Sequence, residues 1–195
     1  MAAKPERSVS IYILGPSSTG KTTLCNALAQ KLELEESAYV TEVARHVMKM
    51  KGYSRDTISS LQMQEDIMEA HLLLEEKSVV RHTVRVYDRT AIDPIVYAIL
   101  TSHDEEEAKR KQHHLTRSAN FQKVLQRYRQ SIVVLLKPVA EWLVDDGIRS
   151  TENQDKCLQI YKRLLGELDI SYYELGREAM FLPERVGIIM GLARF

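Results

Sequence analysis

Apolar, β-rich runs alternate with helical patterns along most of the chain, which predicts an α/β fold. Val9–Leu14 reads as a short buried strand ending at Gly15, and Lys21–Leu32 repeats Leu24, Leu28 and Leu32 at helical spacing. Ser37–Thr41 predicts a second strand, Glu42–Met50 a short helix stopped near Gly52, and Thr57–Lys77 a long helix with Ile58, Leu61, Met68 and Leu72 on one face. Thr83–Tyr87 is a third strand closing on Asp88-Arg89; Asp93-Pro94 then reads as an N-cap with proline in the first turn of a helix reaching Leu100. The polar stretch His103–Gln130 predicts one or two exposed helices. Ser131–Leu136 is a fourth strand stopped by Pro138, Glu152–Leu168 a helix, Ile170–Glu174 a fifth strand and Glu178–Phe195 a closing helix that Pro183 either interrupts or starts. No repeat, low-complexity tract or linker divides the chain, so one domain spanning residues 1–195 is expected.

Between the first strand and the first helix lies Gly15-Pro16-Ser17-Ser18-Thr19-Gly20-Lys21-Thr22. This is a complete G-x-x-x-x-G-K-[ST] in the strand–loop–helix setting its mechanism needs. The glycines let the backbone wrap phosphate oxygens, and successive N–H groups and the helix N-terminus supply positive potential. Lys21 is expected on the β- and γ-phosphates, Thr22 on Mg²⁺ and Thr23 near the α-phosphate. A nucleoside-triphosphate site follows. The loop alone does not separate kinases, GTPases and motor-type ATPases.

Other residues narrow the choice. Asp88 ends a predicted strand, where ligands gather in open parallel sheets. A carboxylate there can hold Mg²⁺ or take a proton from an attacking hydroxyl, and Arg89 can hold substrate. The Asp-Arg pair resembles that of thymidylate and deoxynucleoside kinases. Glu42 and Arg45, three apart after the second strand, share a helical face and suit ribose and anion binding, or form a simple surface ion pair. Gln62 and Gln64 lie on the helix that would flank an acceptor. Asp145-Asp146-Gly147-Ile148-Arg149-Ser150 occupies the place of the lid in a nucleoside-monophosphate-kinase fold, over roughly 138–152, where the planar fork of Arg149 suits a transferring phosphoryl group. Trp142 and Tyr97 are assigned to core packing rather than base stacking. His46, His71, His82 and His103 have no neighbour at metal-ligand spacing, and His113-His114 beside Lys109-Arg110-Lys111 reads as a solvated helix. There is no N-K-x-D guanine reader, and base contacts are expected from residues 176–183.

Composition sets the outer limits. The 195 residues carry 27 Lys+Arg and 27 Asp+Glu, so no broad polycation exists for nucleic acid or an anionic membrane. Two cysteines, Cys25 and Cys157, exclude a disulfide framework or a cysteine zinc site. The opening residues lack a secretory apolar run, and no stretch approaches the roughly 18 apolar residues of a membrane span. The expected setting is a reduced cytoplasm.

In order along the chain, Gly15 to Thr22, Glu42 with Arg45, Asp88-Arg89 and Asp145 to Ser150 resemble the NadR-type, ribosylnicotinamide-kinase-like P-loop family over about residues 9–175. The chain departs from that family in having Asp88-Arg89-Thr90 where members carry Asp-x-Asp, and Thr41 where they carry an aromatic residue. The resemblance implies a three-layer P-loop NTPase fold, a five-stranded parallel sheet in the order 2-3-1-4-5 and a small helical lid. It also implies ATP and Mg²⁺ as cofactors, with phosphoryl transfer to a small hydroxyl acceptor such as a nucleoside or nucleotide. Lys21, Asp88 and Arg149 would be catalytic, Gly15 to Thr23 would hold nucleotide, and Glu42, Arg45, Arg89 and Gln64 would hold the acceptor. A nucleotide-dependent switch or scaffold with slow hydrolysis and no small acceptor is the alternative.

Overall fold

The computed structural model describes residues 8–139, 141 and 153–194. Among them five strands, β1 (Val9–Leu14), β2 (Tyr39–Val40), β3 (Val84–Asp88), β4 (Ile132–Leu136) and β5 (Tyr173–Leu175), form one sheet in the order β2-β3-β1-β4-β5. Every junction is parallel. The helices are α1 (Lys21–Lys31), α2 (Val43–Lys51), α3 (Leu61–Arg81), α4 (Ile92–Leu100), α5 (Glu105–Thr116), α6 (Ala119–Arg129), α7 (Gln154–Glu167) and α8 (Leu182–Ala193).

Alternate residues of the central strands feed two cores, as parallel strands buried on both faces must. Ile11, Ile13, Val86, Val134 and Leu136 pack with Leu24 and Leu28 of α1 and Ile189 of α8. Tyr12, Leu14, Tyr87, Val133 and Leu135 face the opposite way, onto α3, α4, α6 and α7. The result is three layers, helix–sheet–helix, as expected. The second core holds a buried polar group. Tyr12 stacks on Tyr87 at 4.5 Å and meets the edge of Tyr128 at 5.0 Å. Beside them Glu75 of α3, fully buried, accepts hydrogen bonds from Tyr128 Oη (2.8 Å), Arg127 Nη2 (3.1 Å) and Tyr12 Oη (3.4 Å).

The polar segment resolves into two helices, α5 and α6, and it is only partly exposed. Leu115, Phe121, Val124, Leu125 and Tyr128 are core residues. Both edge strands are shorter than expected. The chain enters β2 through a 3₁₀ turn at Glu36–Ala38 and leaves after Val40, so that Thr41 reaches Asp88 instead of extending the ladder. At the other edge Ile170 closes α7 by donating from its N–H to Leu165 C=O and packs into the core, so pairing with β4 starts only at Tyr173. Asp93 is not the N-cap of α4, because the helix already begins at Ile92. Thr90 is the residue whose hydroxyl takes the Ile92 N–H (2.9 Å), while Asp93 Oδ2 reaches back to the Thr90 N–H (2.9 Å), a reciprocal capping arrangement. Glu42 stands before α2 at φ 56° rather than inside it, and α3 starts at Leu61 after a 3₁₀ turn that includes Thr57. Pro183 lies in the first turn of α8, marking its start. Of the region expected to form a lid, residues 140 and 142–152, including Trp142 and Asp145 to Ser150, lie outside the described residues.

Candidate active site

The register brings the site together. Ile13 of β1 lies opposite Asp88 of β3, so the loop leaving β1 and the carboxylate ending β3 emerge side by side. Gly15 takes φ 140°, and a Cβ there would stand 2.6 Å from Leu136 O, so the chain turns into the loop only with glycine. Gly20 (φ 79°) then precedes the first residue of α1, leaving the first amides of that helix at the loop. The Lys21 ammonium folds back into the loop, donating to Pro16 C=O and to Thr19 Oγ1 (3.2 Å). Burial, with Arg89 nearby, lowers its pKa to about 7. Ser17 is held from two sides, by Tyr97 Oη at its hydroxyl (2.8 Å) and by Gln154 Nε2 at its carbonyl (2.8 Å). Thr23, on the first turn of α1, is exposed.

At the mouth of the sheet Thr22 Oγ1 donates to Asp88 Oδ2 (2.6 Å), and Thr41 Oγ1 does the same (3.1 Å). Asp88 Oδ1 is buried with no partner among the described residues. A buried carboxylate oxygen left open beside a phosphate loop fits a Mg²⁺ shell, in which Thr22 would ligate directly and Asp88 directly or through water. Among the described residues no group of three His, Cys, Asp or Glu side chains gathers to hold a metal by itself. Arg89, at φ 77°, lays its guanidinium 5.9 Å from the centre of the Tyr97 ring and donates to Asp93 Oδ1 (2.9 Å). Tyr161 of α7 donates to the same oxygen (2.7 Å). One network therefore runs from the loop through Tyr97, Arg89 and Asp93 to α7.

A cavity of about 850 Å³ opens from this point. Thr22, Asp88 and Arg89 stand at one part of its lining; Glu42, Arg45 and Gln64 line it too, so the structure gathers the acceptor residues expected from the sequence around one space. Glu42 and Arg45 pair at 2.9 Å on an exposed rim, while Gln64 is buried and donates from Nε2 to Ile58 C=O (2.8 Å). Gln62 instead points to solvent and bonds Asp66 (3.3 Å). Arg149 lies outside the described residues.

Sequence reasoning missed several lining groups. Asp93 is a buried partner of Arg89, not merely a helix cap, and Tyr97 faces the cavity rather than the core alone. His71, dismissed for want of a metal-ligand partner, is buried against the cavity with neither ring nitrogen bonded among the described residues. One signal existed. Gln64, His71, Glu75 and Ser78 recur at helical spacing, and all are buried, so α3 carries a polar face inside the protein as well as an apolar one.

These features define a P-loop fold with a cavity beside the phosphate loop. The profile of an AAA domain family matches residues 10–183, and the chain belongs to that family. Among solved structures, the NadR protein in complex with NR matches at a TM-score of 0.73 and 21% identity over 96% of this chain. The match spans about half (51%) of the NadR chain. Deoxyadenosine kinase from M. mycoides with bound dATP matches at 0.70 and 16% identity, covering 96% of this chain and 100% of that one. Shikimate kinase from Acinetobacter baumannii in complex with shikimate matches at 0.54 and 16% identity, over 97% and 95% of the two chains. No curated protein sequence matches. The chain shares its fold with NadR, deoxyadenosine kinase and shikimate kinase. No helix among the described residues is long and apolar enough to cross a membrane.

Proposed function

We infer that the protein is a small-molecule kinase, transferring the γ-phosphoryl group of ATP to a hydroxyl of a nucleoside-like acceptor with Mg²⁺. The observation that carries this reading is the single cavity in which Thr22 and Asp88, beside the phosphate loop, meet Arg89, Gln64, Glu42 and Arg45. A nucleotide switch would leave that space without an occupant. The fold shared with NadR and deoxyadenosine kinase agrees with the assignment.

ATP lies along residues 15–23, with Lys21 on the β- and γ-phosphates. Thr22 would hold Mg²⁺ directly and Asp88 through water, and the ion would neutralise charge on the phosphates. The acceptor hydroxyl gives its proton to Asp88 as its oxygen bonds to the γ-phosphorus and the bond to the β-phosphate oxygen breaks, releasing ADP. Asp88 Oδ1, with no partner among the described residues, is the atom open to that proton, which requires that Asp88 reach Mg²⁺ only through water. Arg89, steadied by Asp93, and Arg149 spread the charge developing on the transferring group. Tyr97, Gln154 and Tyr161 fix the loop and the arginine from opposite sides, so positioning is built in before substrate arrives.

The test is ADP release with ATP and Mg²⁺ across nucleosides, nucleoside monophosphates and sugars. Turnover stimulated by one of these classes is expected, and Asp88→Asn should lower kcat about 10²-fold while changing ATP binding far less. Hydrolysis indifferent to every acceptor, or full kcat in Asp88→Asn, would sink the kinase reading or the base assignment respectively.

A further inference from the structure

The chemistry of the cavity wall restricts the acceptor. Along α3 the wall is Met63, Gln64, Ile67 and His71, about 12 Å of helix at 1.5 Å per residue. Met48 and Leu100 face the same space from α2 and α4. Sulfur and aliphatic carbon therefore form much of the surface, and a polyhydroxylated acceptor would bury hydroxyls there without partners. A flat heterocycle with one polar edge would not.

His71 is the polar residue of that wall left without any bond among the described residues. It is 1% exposed, and neither Nδ1 nor Nε2 has a hydrogen-bond partner among the described residues. Burial holds its pKa down at about 4, so the ring is neutral near pH 7 and offers one donor and one acceptor. A buried polar ring facing a cavity is satisfied by water or by a ligand atom. Gln64 adds further polar atoms: one Nε2–H goes to Ile58 C=O, which leaves its second N–H and Oε1.

The charges narrow the class further. Of the carboxylates lining the cavity, Glu42 is paired with Arg45 and Asp93 with Arg89. Asp88 belongs to the phosphate end, and Arg55, also on the lining, has no ion-pair partner among the described residues. A cationic ring beside His71 would find no uncommitted carboxylate among the lining residues, and Arg55, the lining cation unpaired among the described residues, is of its own sign.

We propose that the acceptor is an uncharged nucleoside whose heterocycle lies between α3 and α4, hydrogen-bonded by the imidazole of His71. This rests on the kinase reading for the word acceptor, but the binding site stands on the cavity alone. His71 is thus a specificity residue and takes no part in the transfer chemistry.

The experiment measures binding and turnover separately, on the full chain, with adenosine, cytidine, uridine and their deoxy forms. Cationic ribosylnicotinamide and shikimate serve as contrasts. At least one neutral nucleoside should bind by calorimetry more tightly than either contrast. His71→Phe should weaken that binding and raise KM about tenfold to a hundredfold with a much smaller change in kcat, because the nucleoside edge loses its partner. His71→Asn, which keeps a donor and an acceptor, should recover part of the loss. Unchanged ATP binding in both variants shows that they are folded. Preferred binding of the cation or of shikimate, no binding of any neutral nucleoside, or an unchanged KM in His71→Phe would overturn the proposal. Nucleoside binding lost in His71→Phe but without any ADP release would uphold it while removing the kinase reading.

Discussion

At the scale of single residues, the phosphate loop is the part of the site that a sequence displays openly, because its chemistry is contiguous. Gly15 shows why the pattern is strict. Its φ of 140° is open only to glycine, and a Cβ would press to 2.6 Å on the backbone oxygen of Leu136, which the sheet holds in place. Gly15→Ala is expected to cost about 2 kcal/mol or more and to displace the loop. Denaturant titration and ATP binding should both show the loss, whereas an exposed alanine substitution should show neither. The acceptor side was less legible. Asp88, Arg89, Glu42, Arg45 and Gln64 could be picked out from strand ends and helical spacing, and the structure gathers them. Asp93 and His71 were missed, since each gains its meaning from a partner or a space far away in sequence, and the polar spacing along α3 that includes His71 does not by itself say what it faces. Asp93 reads locally as a cap, and only the fold brings Tyr161 to it.

Elements were foreseen where their pattern is long or fully buried, and misjudged where a few residues decide. β1 matched to the residue because six successive positions are buried. β2 and β5, at the edges, pair with one neighbour only, so capping and side-chain contacts overrode the apolar pattern. The start of α4 is the sharpest case. Asp-Pro suggested the N-cap, yet the cap position falls on Ala91, and Thr90 just before it takes the Ile92 N–H while Asp93 answers from the first turn. Thr90 is fully buried, so its hydroxyl has no water to fall back on. Thr90→Ala is therefore expected to cost about 1–2 kcal/mol, lowering Tm by roughly 3–6 °C in a protein of this size. Thr90→Ser, which keeps the oxygen, should recover most of it. Calorimetric melting of the two variants checks the assignment.

For the whole molecule, the sheet order, its parallel sense and the three layers follow the family resemblance, while the balanced charge conceals how unevenly charge is buried. Glu75 is the clearest case. Burial raises its pKa to about 7, against the opposing pull of Arg127 and the hydrogen bonds from Tyr128, Arg127 and Tyr12. The folded form therefore holds a proton on this group that the unfolded chain, near its ordinary 4.5, has already released. Its contribution to stability is full below that lower value and is lost as pH rises towards about 7. His71 acts with the opposite sign. Its pKa falls from 6.5 to about 4 on folding, so its contribution is lost as pH drops across that interval. The two overlap, and the wild-type curve alone would hide both. Glu75→Gln keeps a hydrogen-bonding side chain but removes the proton equilibrium. The stability difference, wild type minus Glu75→Gln, should decline from pH 5 to pH 8 by a slope of at most about 1.4 kcal/mol per unit and level off above it. Urea unfolding of both proteins across that range measures the difference directly. A flat difference would mean that Glu75 is ionised throughout, held by Arg127 as an ordinary ion pair in the core.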